Sequence, residues 1–287
     1  MNLPLFVGAI LNGLATGGIY ALMGVGLSVI LGLLNLPNFA HGALYAVGAY
    51  LCYAAAAGPF GFWAGIVAAT LGVAALGGLI ELLGVRRLYG SHPDYVLLLT
   101  FGLSLMLTEV IILVWGPIGI TFQPPPILAG GVDLGVTVYP KYRLAILAAT
   151  LLLVLATWLF LERTRYGAII RAGIEDRDMA SALGINIRRV FTVAFAAGAG
   201  LAGLGGALMV PVRGLLPAMG SDILPFAFVV VVLGGLGSLP GAILAGMLVG
   251  VVQSVMTVIW APGADASVFA LMSLGIAVLP QGLLGKR

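Results

Sequence analysis

The sequence predicts an all-α, polytopic integral membrane protein with about eight or nine membrane segments, some of them broken or re-entrant. Three observations carry this. The chain is 61% hydrophobic and only 8% charged, with 43 glycines in 287 residues and a mean hydropathy of +1.17, whereas a soluble domain is about one quarter charged. Apolar runs recur along its whole length, and lysine and arginine gather in alternate loops. A membrane span needs about 20 largely apolar residues, so residues 1–287 read as a single transmembrane domain with no room for a soluble domain beside it.

The runs lie near 5–33, 41–58, 62–84, 95–115, 144–161, 190–212, 225–239, 241–260 and 267–283. The first is long for one straight span and contains Gly13, Gly17, Gly18, Gly24, Gly26 and Gly32, so it is expected to be broken or re-entrant. The run at 225–239 is short and ends in Gly-Leu-Gly-Ser-Leu-Pro-Gly, so the same expectation holds there. The N-terminal residues 1–8 have no basic n-region, and the first apolar run continues past any small-residue cleavage site, so the first span is expected to stay. Cys52 sits within an apolar run and reads as a small buried side chain. His41-Gly-Ala-Leu-Tyr-Ala-Val-Gly48 and Pro240-Gly-Ala-Ile-Leu-Ala-Gly-Met247 are weakly alike, and each follows a Gly/Pro/Asn-containing break. Inverted-repeat transporters show such paired breaks, although glycine-rich apolar sequence also resembles itself by chance.

Orientation follows from the cations. Arg86 and Arg87 share one loop, six arginines lie within 162–189, and Lys286 and Arg287 end the chain: ten of the 13 lysines and arginines. Those loops belong in the cytoplasm. Lys141, Arg143 and Arg213 fall on the other side, with Asp133, Asp222 and Asp265. The proline-rich 116–143 loop, with Pro117, Pro124, Pro125, Pro126 and Pro140, reads as an ordered, non-helical external excursion. If 5–33 is one span, the N-terminus lies outside.

Several chemistries lack their raw materials. Two histidines and one cysteine do not make a zinc site of the usual Cys/His kind, and no G-x-x-x-x-G-K-[ST] phosphate loop occurs. Gly198-Ala-Gly-Leu-Ala-Gly203 matches G-x-G-x-x-G but lies inside an apolar helix rather than after a strand, so it reads as close helix packing through small residues. The net charge of +3 and pI of 9.2 reflect loop placement in a membrane protein, not nucleic-acid binding.

The longest polar stretch is 162–189. Within it Asp176 or Asp178 can start a short helix, Met179, Ala180 and Leu183 supply an apolar face, and Gly184 offers a left-handed stop. That face can rest on lipid or on a cytoplasmic partner.

Here the residues carry a resemblance. Arg171-Ala-Gly-x-Glu175-Asp176-x-x-x-Ala180-x-x-x-Gly184-Ile185 resembles the coupling loop in permease subunits of bacterial high-affinity branched-chain amino acid ABC transporters. Gly32-Leu-Leu-Asn-Leu-Pro-Asn38-Phe-Ala-His41-Gly42 is similar to that family's early break. Glu81 followed by Arg86-Arg87-Leu-Tyr-Gly is similar to its E-x-x-x-x-R-P-L-R segment, with Arg87 in place of proline, and Gly234-Gly-x-Gly237-Ser-x-x-Gly241 is similar to its late glycine-rich break. The four motifs come in order over almost the whole chain. The resemblance implies a multisubunit importer of the inner membrane: this chain, a second and related permease, two ATPase subunits that bind ATP and Mg, and an extracytoplasmic solute-binding protein. It implies no cofactor in this chain, no catalysis by it, and an ATPase-coupling role for Arg171, Glu175, Asp176, Ala180 and Gly184. The solute is a branched-chain or related amino acid, with amides and urea left open.

Ionisable groups at membrane depth default to function or to a buried pair. Glu81 is within about 7.5 Å of Arg86 along a helix and is expected to pair with it. Glu109 has no cation near it in sequence; it is either protonated or turned to another subunit or a wet cavity. Asn38 and His41, beside Pro37 and Gly42, are candidates for the translocation pathway, because a broken helix exposes backbone groups that bind a zwitterion. Asn12 and the Gly234, Gly235 and Gly237 break join them. Tyr20, Tyr45 and Tyr50 serve equally as interface anchors. The rival reading is an autonomous secondary transporter or channel using Glu109 or His41 for protons; a membrane-embedded enzyme lacks paired catalytic groups.

Overall fold

In the computed structural model, which describes residues 3–34, 37–58, 61–135 and 137–285, helices occupy the predicted apolar runs. They are α1 (Leu3–Leu34), α2 (Ala40–Ala56), α3 (Gly61–Leu83), α4 (Pro93–Trp115) and α5 (Lys141–Arg163), then α8 (Ile187–Arg213), α9 (Met219–Gly234), α10 (Leu239–Trp260) and α11 (Ala264–Val278). Two short helices, α6 (Arg165–Glu175) and α7 (Arg177–Ala182), fill the polar loop between α5 and α8. The chain is an all-α polytopic membrane protein. Among the described residues, six apolar helical stretches are long enough to cross a bilayer, and α9 is a shorter apolar helix.

Two expectations are corrected. The first run is not broken: α1 is one continuous helix of 32 residues, about 48 Å long against a hydrocarbon core of about 30 Å. Its glycines serve packing. A Cβ on Gly13 would lie 2.6 Å from Val251 Cα, and one on Gly17 would lie 2.8 Å from the Gly246 carbonyl. The 116–143 loop also contains more than irregular chain. Residues 126–128 form a 3₁₀ turn, β1 (Gly131–Asp133) pairs antiparallel with β2 (Val138–Pro140), and residues 141–143 already belong to α5. The break after the 225–239 run is real, but α9 begins earlier, at Met219, and carries Pro225 within it.

The chain forms two compact units. The first comprises residues 1–25, 123–156 and 225–287; the second comprises 26–122 and 157–224. Within the first, Gly18 of α1 meets Thr150 of α5, and Asn12 meets Tyr139 and Arg143, so α1 runs parallel to α5. The start of α1 therefore lies on the same side as the start of α5, which the cation count predicts to be the external one. Lys286 and Arg287 of that count lie outside the described residues. Gly13 against Val251 and Gly17 against Met247 make α10 antiparallel to α1, so α10 begins at the cytoplasmic side.

In the second unit α8 packs on α2 and α3. Its Gly198, Gly200 and Gly203 sit against Gly26, Ala74 and Val73, where a Cβ at Gly203 would fall 2.7 Å from the valine side chain. The G-x-G-x-x-G match is thus a helix-packing seam. Val73, Ala69 and Ala199 are fully buried there, as is Cys52 of α2, whose sulfur lies beside Gly65. Tyr45 and Tyr50 in this unit and Tyr20 in the first are also buried. They are core residues and not interface anchors: Tyr50 leans on Trp115, and Tyr20 stacks on Phe226 at 5.5 Å.

Candidate functional site

The early break lies within the membrane. Phe39 N–H donates to Thr100 Oγ1 at 3.3 Å, and Thr100 is seven residues, about 10 Å, along α4 from Pro93 at its cytoplasmic end. The polar turn that opens α2 is therefore buried at depth, with Tyr50 reaching Trp115 near the far end of α4. Asn35 and Leu36 of the motif lie outside the described residues.

Asn38 organises that turn. Its Oδ1 accepts from Ala40 N–H at 3.1 Å, and its carbonyl accepts from His41 N–H at 3.3 Å. The side-chain amide is buried, and Nδ2 has no hydrogen-bond partner among the described residues. Leaving such a donor unmet costs about 1–3 kcal/mol, a penalty removed when water or a solute supplies an acceptor. Ser28 Oγ and Tyr50 Oη of the same unit are buried and unmet in the same way. His41 is fully buried, with its ring beside Gly26, and Gly42 lets α2 approach Gly220 of α9.

The other pathway candidates have local partners in the first unit. Asn12 Oδ1 accepts from Tyr139 Oη at 2.8 Å and from the Arg143 guanidinium, which pins β2 and the start of α5 to α1. Burial holds the Tyr139 phenol above the ordinary tyrosine value against the opposing pull of Arg143, so it stays protonated and donates. Gly235 and Gly237 have φ of +102° and +77°, the left-handed region that favours glycine. Gly234 packs on Gly241, and Leu283 N–H donates to the Leu233 carbonyl at 2.8 Å. The late glycine cluster is thus a turn between α9 and α10 that the C-terminal segment closes.

The polar loop folds as its sequence directs. Thr164 caps α6, accepting from Gly167 N–H. Asp176 caps α7, its Oδ1 accepting from Asp178 N–H at 3.0 Å and Met179 N–H at 2.9 Å. Gly184 stops α7 at φ +83°, while Ile185 N–H reaches back to the Ala180 carbonyl at 3.2 Å. Ala180 is the buried side of α7, and Met179 and Leu183 stand 59% and 74% exposed. Arg171 pairs with Glu162 at 3.4 Å, and Glu175 is exposed at the end of α6.

A second polar cluster lies where α3 meets α8. Glu81 is fully buried and pairs with Arg86, whose Nε and Nη2 lie 3.2 Å from its two oxygens. Tyr89 Oη and Thr192 Oγ1 each donate to it at 2.7 Å. Arg86 further donates to the Arg188 carbonyl and touches Thr192. The Glu81–Arg86 pair follows from sequence spacing; Tyr89 and Thr192 do not, since tertiary packing alone brings Thr192 there.

The family model described as "Branched-chain amino acid transport system / permease component" matches residues 9–279. The chain is 31% identical to the high-affinity branched-chain amino acid transport system permease protein LivH of Salmonella typhimurium, over 98% of this chain and 96% of that protein. It is 30% identical to the corresponding protein BraD of Pseudomonas aeruginosa, over 96% and 95%. It is also 32% identical to LivM of Escherichia coli, over 93% of this chain and 68% of that protein. No solved structure matches. With nine-tenths of its length matched and its membrane helices in place, this chain belongs to the family of branched-chain amino acid transport permease components.

Proposed function

We propose that this chain is one of two membrane-spanning subunits of an ATP-driven importer in the inner membrane, carrying branched-chain or related amino acids inward. A related permease of the LivM kind completes the pathway. Two ATPase subunits bind ATP and Mg, and an extracytoplasmic protein delivers the solute. The observation that carries this reading is α7, a capped helix on the cation-rich side whose Met179 and Leu183 stand exposed. An autonomous carrier has no use for a rigid, outward-facing apolar helix there, whereas an ATPase needs one to push on. Displacement of α7 passes through Gly184, Ile185 and the Asn186 cap directly into α8.

Arg171, Glu175, Asp176, Ala180 and Gly184 form and hold this docking element. Asn38 and His41 line the route, the Asn38 amide offering a donor to the solute carboxylate or to its water. The test is solute-stimulated ATP hydrolysis by the reconstituted complex. Gly184→Trp, which forces a bulky side chain into a left-handed backbone, and Glu175→Arg abolish stimulation while the chain remains inserted and folded. Retained stimulation and uptake remove the docking assignment.

A further inference from the structure

Away from its ends, α4 bears one ionisable side chain, Glu109. Val96, Thr100 and Ile111 of this helix are buried, while Leu98, Gly102, Leu105, Glu109 and Leu113 form a continuous exposed stripe on the opposite side. The spacing of three and four residues places all five on one face, with Glu109 one turn from its outer end. Glu109 makes no hydrogen bond or ion pair with a described residue. Only 17% of the apolar stretch of α4 is buried within the chain.

Lipid is a poor cover for this face. Glu109 lies six residues, about 9 Å, inside the external end of α4 at Trp115. The Cα–Cβ bond of a helical residue tilts toward the helix N-terminus, which for α4 is the cytoplasmic side, so the carboxylate leans deeper into the bilayer. Its stem is too short to snorkel back as lysine does. Ionisable groups so placed face protein or water. Gly102 adds a second sign, because nothing lies within 4 Å of the position its Cβ would take. It is a notch that admits a neighbouring helix at close range.

Charge complementarity selects the neighbour. The Lys and Arg residues of this chain on the external side, Lys141, Arg143 and Arg213, stand in the first or last turns of α5 and α8, and Arg143 is engaged by Asn12. A second copy offering the same face would set carboxylate against carboxylate. We propose that this face of α4 is where the chain meets a second, non-identical permease, whose facing helix places a basic or hydrogen-bond-donating side chain against Glu109. The proposal rests on the importer reading for the existence of that second permease.

The experiment uses the whole complex in its native membrane. A photo-crosslinking amino acid replaces Leu105, and in a control it replaces the exposed Leu152 of α5; adducts are identified by mass spectrometry. The expected adduct at 105 carries peptides of a different permease, and Glu109→Leu lowers recovery of that permease several-fold. Leucine is better suited to lipid than glutamate, so this loss is not failed insertion. An adduct with another copy of this chain, with lipid alone, or with nothing overturns the proposal. If no ATPase subunits accompany the complex, the importer reading fails on that count, while the adduct still decides what α4 faces.

Discussion

Replacing Arg86 by methionine leaves the Glu81 carboxylate buried where α3 meets α8 without its cation. Breaking a buried pair from one side costs about 3–5 kcal/mol. Two factors reduce that figure here. The Arg86 side chain is 30% exposed, so the pair is partly hydrated, and Tyr89 and Thr192 still donate to the carboxylate. A loss of ~2–3 kcal/mol remains, since charged hydrogen bonds contribute about 1.5–3 kcal/mol each and those two persist. Glu81→Gln does less harm, ~1–2 kcal/mol, because the freed guanidinium can reach water while the amide still accepts. The double variant carries no buried charge, so its loss falls below the sum of the singles by ~1–2 kcal/mol in a double-mutant cycle. SDS titration of the purified chain in mixed micelles, followed by tryptophan fluorescence, measures all three. An Arg86→Met loss under ~0.5 kcal/mol, the range of an ordinary surface change, or strict additivity in the cycle, refutes the assignment of this cluster as the joint between α3 and α8.

Asp176→Ala removes both cap bonds of α7 and costs about 1 kcal/mol, so hydrogen exchange of the 177–183 amides rises several-fold and uptake falls with it; unchanged exchange contradicts the cap. Gly203→Leu drives a branched side chain into Val73 and prevents accumulation of folded chain, whereas Gly8→Leu, with open space around it, leaves accumulation unchanged; equal yields on a membrane immunoblot refute the packing seam. Asn38→Ala and His41→Ala keep the complex assembled but lower solute uptake in proteoliposomes, and normal uptake kinetics reassign both residues to packing.

The membrane helices were legible because lipid demands long apolar stretches, and so α3, α4 and α10 end within two residues of the predicted runs. Periodicity and capping chemistry also foretold α7, from Asp176 to Gly184, since both signals are local. Glycine was harder to interpret. The glycines of α1 suggested a break, but they face Val251, Gly246 and Gly198 and allow helices to touch, a role that appears only once the partners are placed. The partners of Asn12 were hidden for the same reason, because its two donors, Tyr139 and Arg143, lie more than 100 residues away. Thr192 was invisible for want of any local signal, standing 111 residues from Glu81. Sequence flagged Glu81 and Asn38 as polar groups in apolar surroundings; it did not tell the satisfied carboxylate from the amide awaiting a partner.

The central claim, that this chain transports only as part of an ATP-driven complex, is tested most directly by purifying it from its native membrane in mild detergent and reconstituting what stays bound. The account predicts recovery of ATPase subunits and a second permease, with solute uptake that stops when ATP is withheld. A chain that purifies alone and still carries solute without ATP contradicts it.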